Sequence, residues 1–322
     1  MTYRFGPDYP NETYVPHGYP EHMVDLGEVV MNYAVTGPEV APPLLLIPGQ
    51  TESWWGYEAA MRLLEADFRI YAVDLRGQGR SSRTPGRYTL DNMGNDLVRF
   101  IQSVIGRPCI VAGLSSGGVL SCWLSAYSPP SLVRAAYYED APLFHSEVSP
   151  AIGHAIRQGG IGDIFPLFSK YLGDQWSVGD WNGMVAAAPS MLPEWMASFA
   201  PRGEEPPQNL KEYDPEWARA FWSGTATIGC DHARMLKCVR VPVLFTHHFR
   251  KLSPVNGALM GAVSDQQVRE ARRLIEAAGQ RFEYRSFPEM GHSMHGQDPA
   301  LYAATVRAWT QGLASVQQDD EV

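Results

Sequence analysis

Apolar positions along this chain switch repeatedly between two patterns. "PPLLLIPG" (42–49) is a continuous apolar run closed by Pro and Gly, as expected of a strand buried on both faces. "VVMNYAVTG" (29–37), "FRIYAVDLRG" (68–77), "PCIVAGLS" (108–115), "VRAAYYED" (133–140), "VPVLFTHH" (241–248) and "FEYRSFP" (282–288) also read as strands. Helical spacing lies between them. In "TLDNMGNDLVRFIQSVI" (89–105), Leu90, Met93, Leu97, Phe100, Ile101 and Val104 fall on one face. "GGVLSCWLSAY" (117–127), "SDQQVREARRLIEAAG" (264–279) and "DPALYAATVRAWTQGL" (298–313) are further helices, the last capped by Asp298 with Pro299 in its first position. Such alternation predicts an α/β fold, a mostly parallel sheet covered on both faces.

The alternation lapses over 142–238. That stretch holds five of the nine tryptophans, Trp176, Trp181, Trp195, Trp217 and Trp222, and shows no clear strand. It predicts a helical cap inserted into a core formed by 21–141 and 239–316. Residues 1–20 carry Pro7, Pro10, Pro16 and Pro20 and predict an irregular arm. An arm of this kind can cover a surface or reach a neighbouring subunit, which leaves a homo-oligomer open.

Composition narrows the function classes. The net charge of −9 and the lack of any basic block argue against a nucleic-acid partner. No run of 18 apolar residues exists, and the N-terminus has no apolar segment of signal-peptide type, so a cytoplasmic protein with no membrane partner is expected. Cys109, Cys122, Cys230 and Cys238 form no C-x-x-C pair and are expected to be free, buried thiols. No metal is expected. In "GHSMH" the H-x-x-H spacing lacks nearby ligands beyond Glu289 and Asp298, and His247 and His248, adjacent at a strand end, point to opposite faces. One core and one loop histidine are expected there.

The chemistry starts at "VAGLSSGG" (111–118), a buried strand running into a helix through G-x-S-x-G. In such an elbow the serine sits on a tight turn over the sheet edge, and the residues two before and two after must be small. Ser115 has Gly113 and Gly117 there. Ser116 would have Leu114, which is too large, so Ser115 is the nucleophile. The plainer alternative is a Gly-rich turn whose serines cap a helix. An aspartate in that place would have pointed to a dehalogenase or an epoxide hydrolase, whereas serine points to acyl transfer. The Ser116 N–H is one candidate oxyanion donor, and the Gln50 N–H, after Pro48-Gly49, is the other. The base follows the final strand, His292 before His295.

"PGQTESWW", "DLRGQGRS", "GLSSGG", the Trp-rich insertion and "GHSMH", in that order, resemble the α/β-hydrolase superfamily across 22–315, with the cap after the sixth strand. "DLGEVVMNYA", "EDAPLF", "LGDQWSVGDW", "NLKEYDPEW" and "THHFR…ALMGAVSD" resemble the bacterial zearalenone lactonases more narrowly. The resemblance implies a Ser–His–acid triad, no cofactor, and hydrolysis of the ester in a small, apolar, macrocyclic resorcylic lactone. Trp54, Trp181 and Trp222 are candidates to touch it. The acid usually follows the strand represented by "VPVLFTHH", but "THHFRKLSPVNG" has none. Asp265, farther on, falls in an S-x-x-Q capping box that already explains it. "YYEDAP" is the other place the family uses, and Asp140, where the chain leaves the sheet, is the favoured acid over Glu139 and Asp265. A general carboxylesterase, a carbon–carbon bond hydrolase with the same triad, and a silent ligand receptor remain alternatives.

Overall fold

The computed structural model describes residues 17–319, so most of the arm expected over 1–20 lies outside the described residues. The strands are β1 (Glu21–Asp25), β2 (Val30–Thr36), β3 (Pro43–Ile47), β4 (Arg69–Val73), β5 (Cys109–Leu114), β6 (Val133–Glu139), β7 (Val243–His247), β8 (Arg250–Leu252), β9 (Leu259–Gly261) and β10 (Phe282–Ser286). Eight of them form one sheet in the order β1-β2-β4-β3-β5-β6-β7-β10, and β8 and β9 form a separate two-stranded ribbon. β1–β2 and β2–β4 pair antiparallel, and every other pairing in the large sheet is parallel.

Each strand run read from the sequence is a strand. β1 was not anticipated, since "EHMVD" is mostly polar. Among the described residues it lies at the sheet margin, paired with β2, and keeps two of its five residues half-buried and three exposed. β3 and β5 are buried at every position. Their side chains alternate between the two faces. Leu45, Ile47 and Val111 join a core that takes in Val119, Trp123 and Phe144. Leu44, Leu46 and Ala112 join Trp54, Tyr57, Met61, Tyr302 and Trp309 on the other face.

Between β6 and β7 the described residues form helices Ile164–Tyr171, Trp181–Met191, Glu216–Ser223 and His232–Lys237, with no strand. Phe165, Phe168, Tyr213, Trp217 and Phe221 belong to the same apolar cluster as the sheet face below, so this stretch has no separate core. Its tryptophans fasten it down. Trp217 donates its indole N–H to Arg76 O at 2.6 Å, and Trp176 donates to Gly79 O at 2.8 Å. Buried Asp214 accepts from Tyr88 Oη at 2.5 Å and Arg83 Nε at 2.9 Å. All of these core partners lie in the loop after β4.

Cys109, Cys122 and Cys230 are buried free thiols. Cys238 departs from expectation and is exposed. Among the described residues, no helix is long and apolar enough to cross a membrane.

Candidate active site

The C-terminal ends of β3, β5, β6 and β7 share one edge of the sheet, where parallel α/β folds gather their loops. Ser115 follows β5 with φ 54 and ψ −121, a strained backbone for a non-glycine residue. The tightness of the turn explains its small neighbours. A Cβ on Gly113 would lie 2.2 Å from Gly117 O, and one on Gly117 would lie 2.3 Å from Ile47 O. Ser115 caps no N–H of the helix Ser116–Tyr127 that follows, so the plain capping role is not the one it plays.

The loop after β3 packs against this turn, and a Cβ on Gly49 would come within 3.3 Å of Ser115 Cβ. Ser116 is the first residue of its helix, where the backbone N–H has no partner within the helix. Among the described residues, neither it nor the Gln50 N–H enters a backbone hydrogen bond outside a helix or strand. Both N–H groups are therefore open to act as candidate oxyanion donors.

β5 and β6 pair in parallel with Leu114 opposite Glu139, so Asp140 leaves the sheet beside Ser115. Asp140 is buried, with φ 43, and its N–H donates to Thr246 O at 2.9 Å. Its Oδ2 lies 2.7 Å from His292 Nδ1, and its Oδ1 accepts from the His248 N–H at 3.0 Å. Among the described residues no hydrogen bond joins Ser115 Oγ to His292, a contact that free enzymes often hold long until substrate arrives. The His292 side chain keeps 31% of its surface open.

The other acids are engaged elsewhere. Glu139 Oε2 lies 2.9 Å from His295 Nδ1, and its Oε1 accepts from the N–H groups of Met294 and His295 at 2.7 and 3.1 Å. Asp265 is largely exposed, accepts from Arg250 Nε at 2.7 Å, and starts the helix under a full Ser264–Gln267 capping box. His292 and His295 thus face different carboxylates and share no ligand site. Among the described residues, no group of three or more His, Cys, Asp or Glu could hold a metal ion.

Burial works to raise the Asp140 carboxyl. The hydrogen bond from His292 and the nearby His248 outweigh it and hold the group below the usual carboxylate range. Burial likewise works to lower His292, but the Asp140 bond and charge win and raise it above the ordinary imidazole value.

Trp54, expected against substrate, is fully buried and donates its indole N–H to Glu21 Oε1 at 2.8 Å, so it is a structural residue. Trp181 is buried too. It donates to Gly203 O at 3.1 Å and lines a cap cavity of about 260 Å³ with Phe168, Met184 and Leu210, away from Ser115. Trp222 is half-buried, with the Arg157 guanidinium 5.6 Å over its ring.

Sequence reasoning missed His248. His247 ends β7 in the core and His248 lies in the loop just beyond it, as expected, but the loop histidine is buried too. His247 Nε2 lies 2.8 Å from Val263 O, while His248 Nδ1 lies 2.9 Å from Gly291 O and 3.0 Å from His292 O, steadying the loop that carries His292. The adjacent pair was the signal, but their partners are distant in the chain.

A family model described as the alpha/beta hydrolase family matches residues 44–305, most of the chain and all of the strands that carry this site. The chain belongs to the alpha/beta hydrolase family. It is similar to the bifunctional epoxide hydrolase 2 of Sus scrofa, 36% identical over 133 residues, covering 40% of this chain and 24% of that protein. It is similar to the 3-oxoadipate enol-lactonase 2 of Acinetobacter baylyi, 28% identical over 140 residues, covering 42% of this chain and 52% of that protein. The chain thus spans well under two thirds of either relative. Among solved alpha/beta hydrolase structures, the enol-lactonase from Burkholderia xenovorans LB400 superposes with a TM-score of 0.62 at 15% identity, covering 90% of this chain and 100% of that one, a likeness of fold.

Proposed function

We propose that the protein is a serine ester hydrolase that opens the ester of a macrocyclic resorcylic lactone of the zearalenone type. The supporting observation is the 2.7 Å pair of Asp140 and His292 beside an elbow serine at φ 54. His292 takes the Ser115 proton on Nε2 as Oγ attacks the lactone carbonyl carbon. Asp140 holds the other ring nitrogen and stabilises the imidazolium that forms. The Gln50 and Ser116 N–H groups hold the oxyanion, each worth about 3–4 kcal/mol. The ester C–O bond then breaks, and the departing ring oxygen takes the proton back from His292. Alcohol and acyl group stay on one opened chain. Water activated by His292 releases the carboxylate and restores Ser115.

The likeness to an epoxide hydrolase raises a second reaction, which the nucleophile disfavours. Serine opening an epoxide would leave an ether on the enzyme, and water cannot turn that over as it does an acyl ester. The relative named as an enol-lactonase favours a cyclic ester. The apolar, aromatic cap favours an apolar substrate. Of the three tryptophans singled out, Trp222 alone keeps appreciable open surface and stays a candidate to touch it.

The test compares the wild type with Ser115→Ala on zearalenone and on p-nitrophenyl butyrate, following products by mass. The wild type is expected to open the macrolactone, and Ser115→Ala to lose about 10⁶-fold in kcat. Turnover of the aryl ester alone would assign a general carboxylesterase. Binding of the lactone without turnover of either compound would assign a silent receptor.

A further inference from the structure

His295 is fully buried and lies among Glu139, Glu52 and Tyr57, each of which reaches residues beside the proposed machinery. Its Nδ1 lies 2.9 Å from Glu139 Oε2, on the residue next to Asp140. Its Nε2 lies 3.7 Å from Glu52 Oε2. That same Glu52 oxygen accepts from the Gly49 N–H at 3.1 Å, in the loop that presents Gln50. The His295 ring stacks on Tyr57 with centroids 3.7 Å apart. The Tyr57 hydroxyl donates to Ile47 O at 3.1 Å and accepts from the Leu114 N–H at 3.2 Å, joining the ends of β3 and β5 on either side of Ser115. Among the described residues, the ring also meets Ser293 Oγ at 3.4 Å and the edge-on Tyr302.

We propose that Glu139, His295 and Glu52 form a buried acid–imidazolium–acid clamp that sets the oxyanion loop against the nucleophile. Nδ1 is hydrogen-bonded to Glu139 and Nε2 lies within ion-pair reach of Glu52, an arrangement that suits the doubly protonated ring, and a buried carboxylate such as Glu139 needs a paired charge. Burial works to lower His295, but the charges of Glu139 and Glu52 outweigh it, so the ring holds its proton above the ordinary imidazole value. Removing the positive charge would turn the Glu52 carboxylate towards water and free the Gly49 N–H, loosening the turn that presents the next N–H, that of Gln50. The three are positioning residues, acting on the oxyanion through Gly49 and Gln50. This inference rests on the assignment of Ser115, His292 and Asp140.

The test uses Glu52→Gln and His295→Gln, with Glu52→Gln deciding should the buried replacement fail to fold, because the Glu52 side chain is 22% exposed. Kinetics on p-nitrophenyl butyrate are paired with inhibition by phenylboronic acid, which mimics the tetrahedral intermediate, and with labelling of Ser115 by a fluorophosphonate. We expect kcat to fall about tenfold to a hundredfold, below the loss for deleting an oxyanion donor outright. KM should stay near wild type, and the boronate inhibition constant should rise in step with the loss of kcat. A kcat and boronate affinity close to wild type in Glu52→Gln overturn the clamp, whatever happens to thermal stability. A wild type that the fluorophosphonate leaves unlabelled at Ser115 overturns the nucleophile assignment itself, and the clamp with it.

Discussion

Two neighbouring acids leave one strand and go to different histidines. Glu139 is the last residue of β6 and Asp140 the first beyond it, so their side chains diverge. Asp140 turns out of the sheet at φ 43 and reaches His292, while Glu139 turns inward to His295. This split separates the acid roles experimentally. Asp140→Asn should cost about 10⁴-fold in kcat, the scale known for the orienting acid of serine proteases. Asp265→Asn should leave kcat near wild type, since that carboxylate is mostly exposed and held by Arg250. The opposite result in ester hydrolysis would move the triad to Asp265. The residual activity of Asp140→Asn should also begin at lower pH, because the bond that raises His292 is gone.

At the scale of elements, the elbow and the cap draw on different information. The elbow is local. Gly113, Ser115 and Gly117 lie within one turn, and close backbone approach dictates their size, so their spacing was readable directly. The cap depends on contacts far along the chain. Its tryptophans look like a substrate lid in sequence, yet Trp217 and Trp176 serve as hydrogen-bonded fasteners to the loop after β4. Trp217→Phe leaves Arg76 O buried without its donor, a loss of about 1–3 kcal/mol in stability. Urea unfolding should show the midpoint falling at unchanged slope. The same variant should raise KM more than it lowers kcat, because it loosens the cap and leaves the triad intact.

Across the whole molecule, the paired charges make stability and activity peak at different pH. Asp140 and Glu139 sit below the usual carboxylate range, so their contribution is present above the unfolded value near 4 and lost as pH falls through the lower folded values. His292 and His295 sit above the ordinary imidazole value. Their contribution, which is the same two pairs seen from the other side, is complete below about 6.5 and lost as pH rises through the folded values. Asp74 runs the other way for an acid. Burial and the nearby Glu212 push it up to about 7, so the folded state favours its protonated form and loses stability as pH rises through that value. Thermal unfolding should therefore show a maximum on the acid side of neutrality. The proposed mechanism needs His292 neutral, so hydrolysis should rise only above its elevated value. Coincident optima for melting temperature and kcat/KM would contradict this assignment of charge.

Whatever depends on neighbours along the chain was legible before folding was considered. Continuous apolar runs specified the inner strands, Ser264 with Gln267 and Asp298 with Pro299 specified helix starts, and the glycine spacing specified Ser115. The sequence left β1 unseen, because a polar edge strand is recognised only by the strand it pairs with. Which acid meets which histidine follows from the fold, since Asp140 and His292 lie 152 residues apart and Glu139 and His295 lie 156 apart. The same holds for Glu52, His248 and Trp54. Their residue types were legible, but the roles of Glu52 and His248 come from charges and carbonyls that only the folded sheet brings within reach, and Trp54 is taken from the substrate side by the packing around it.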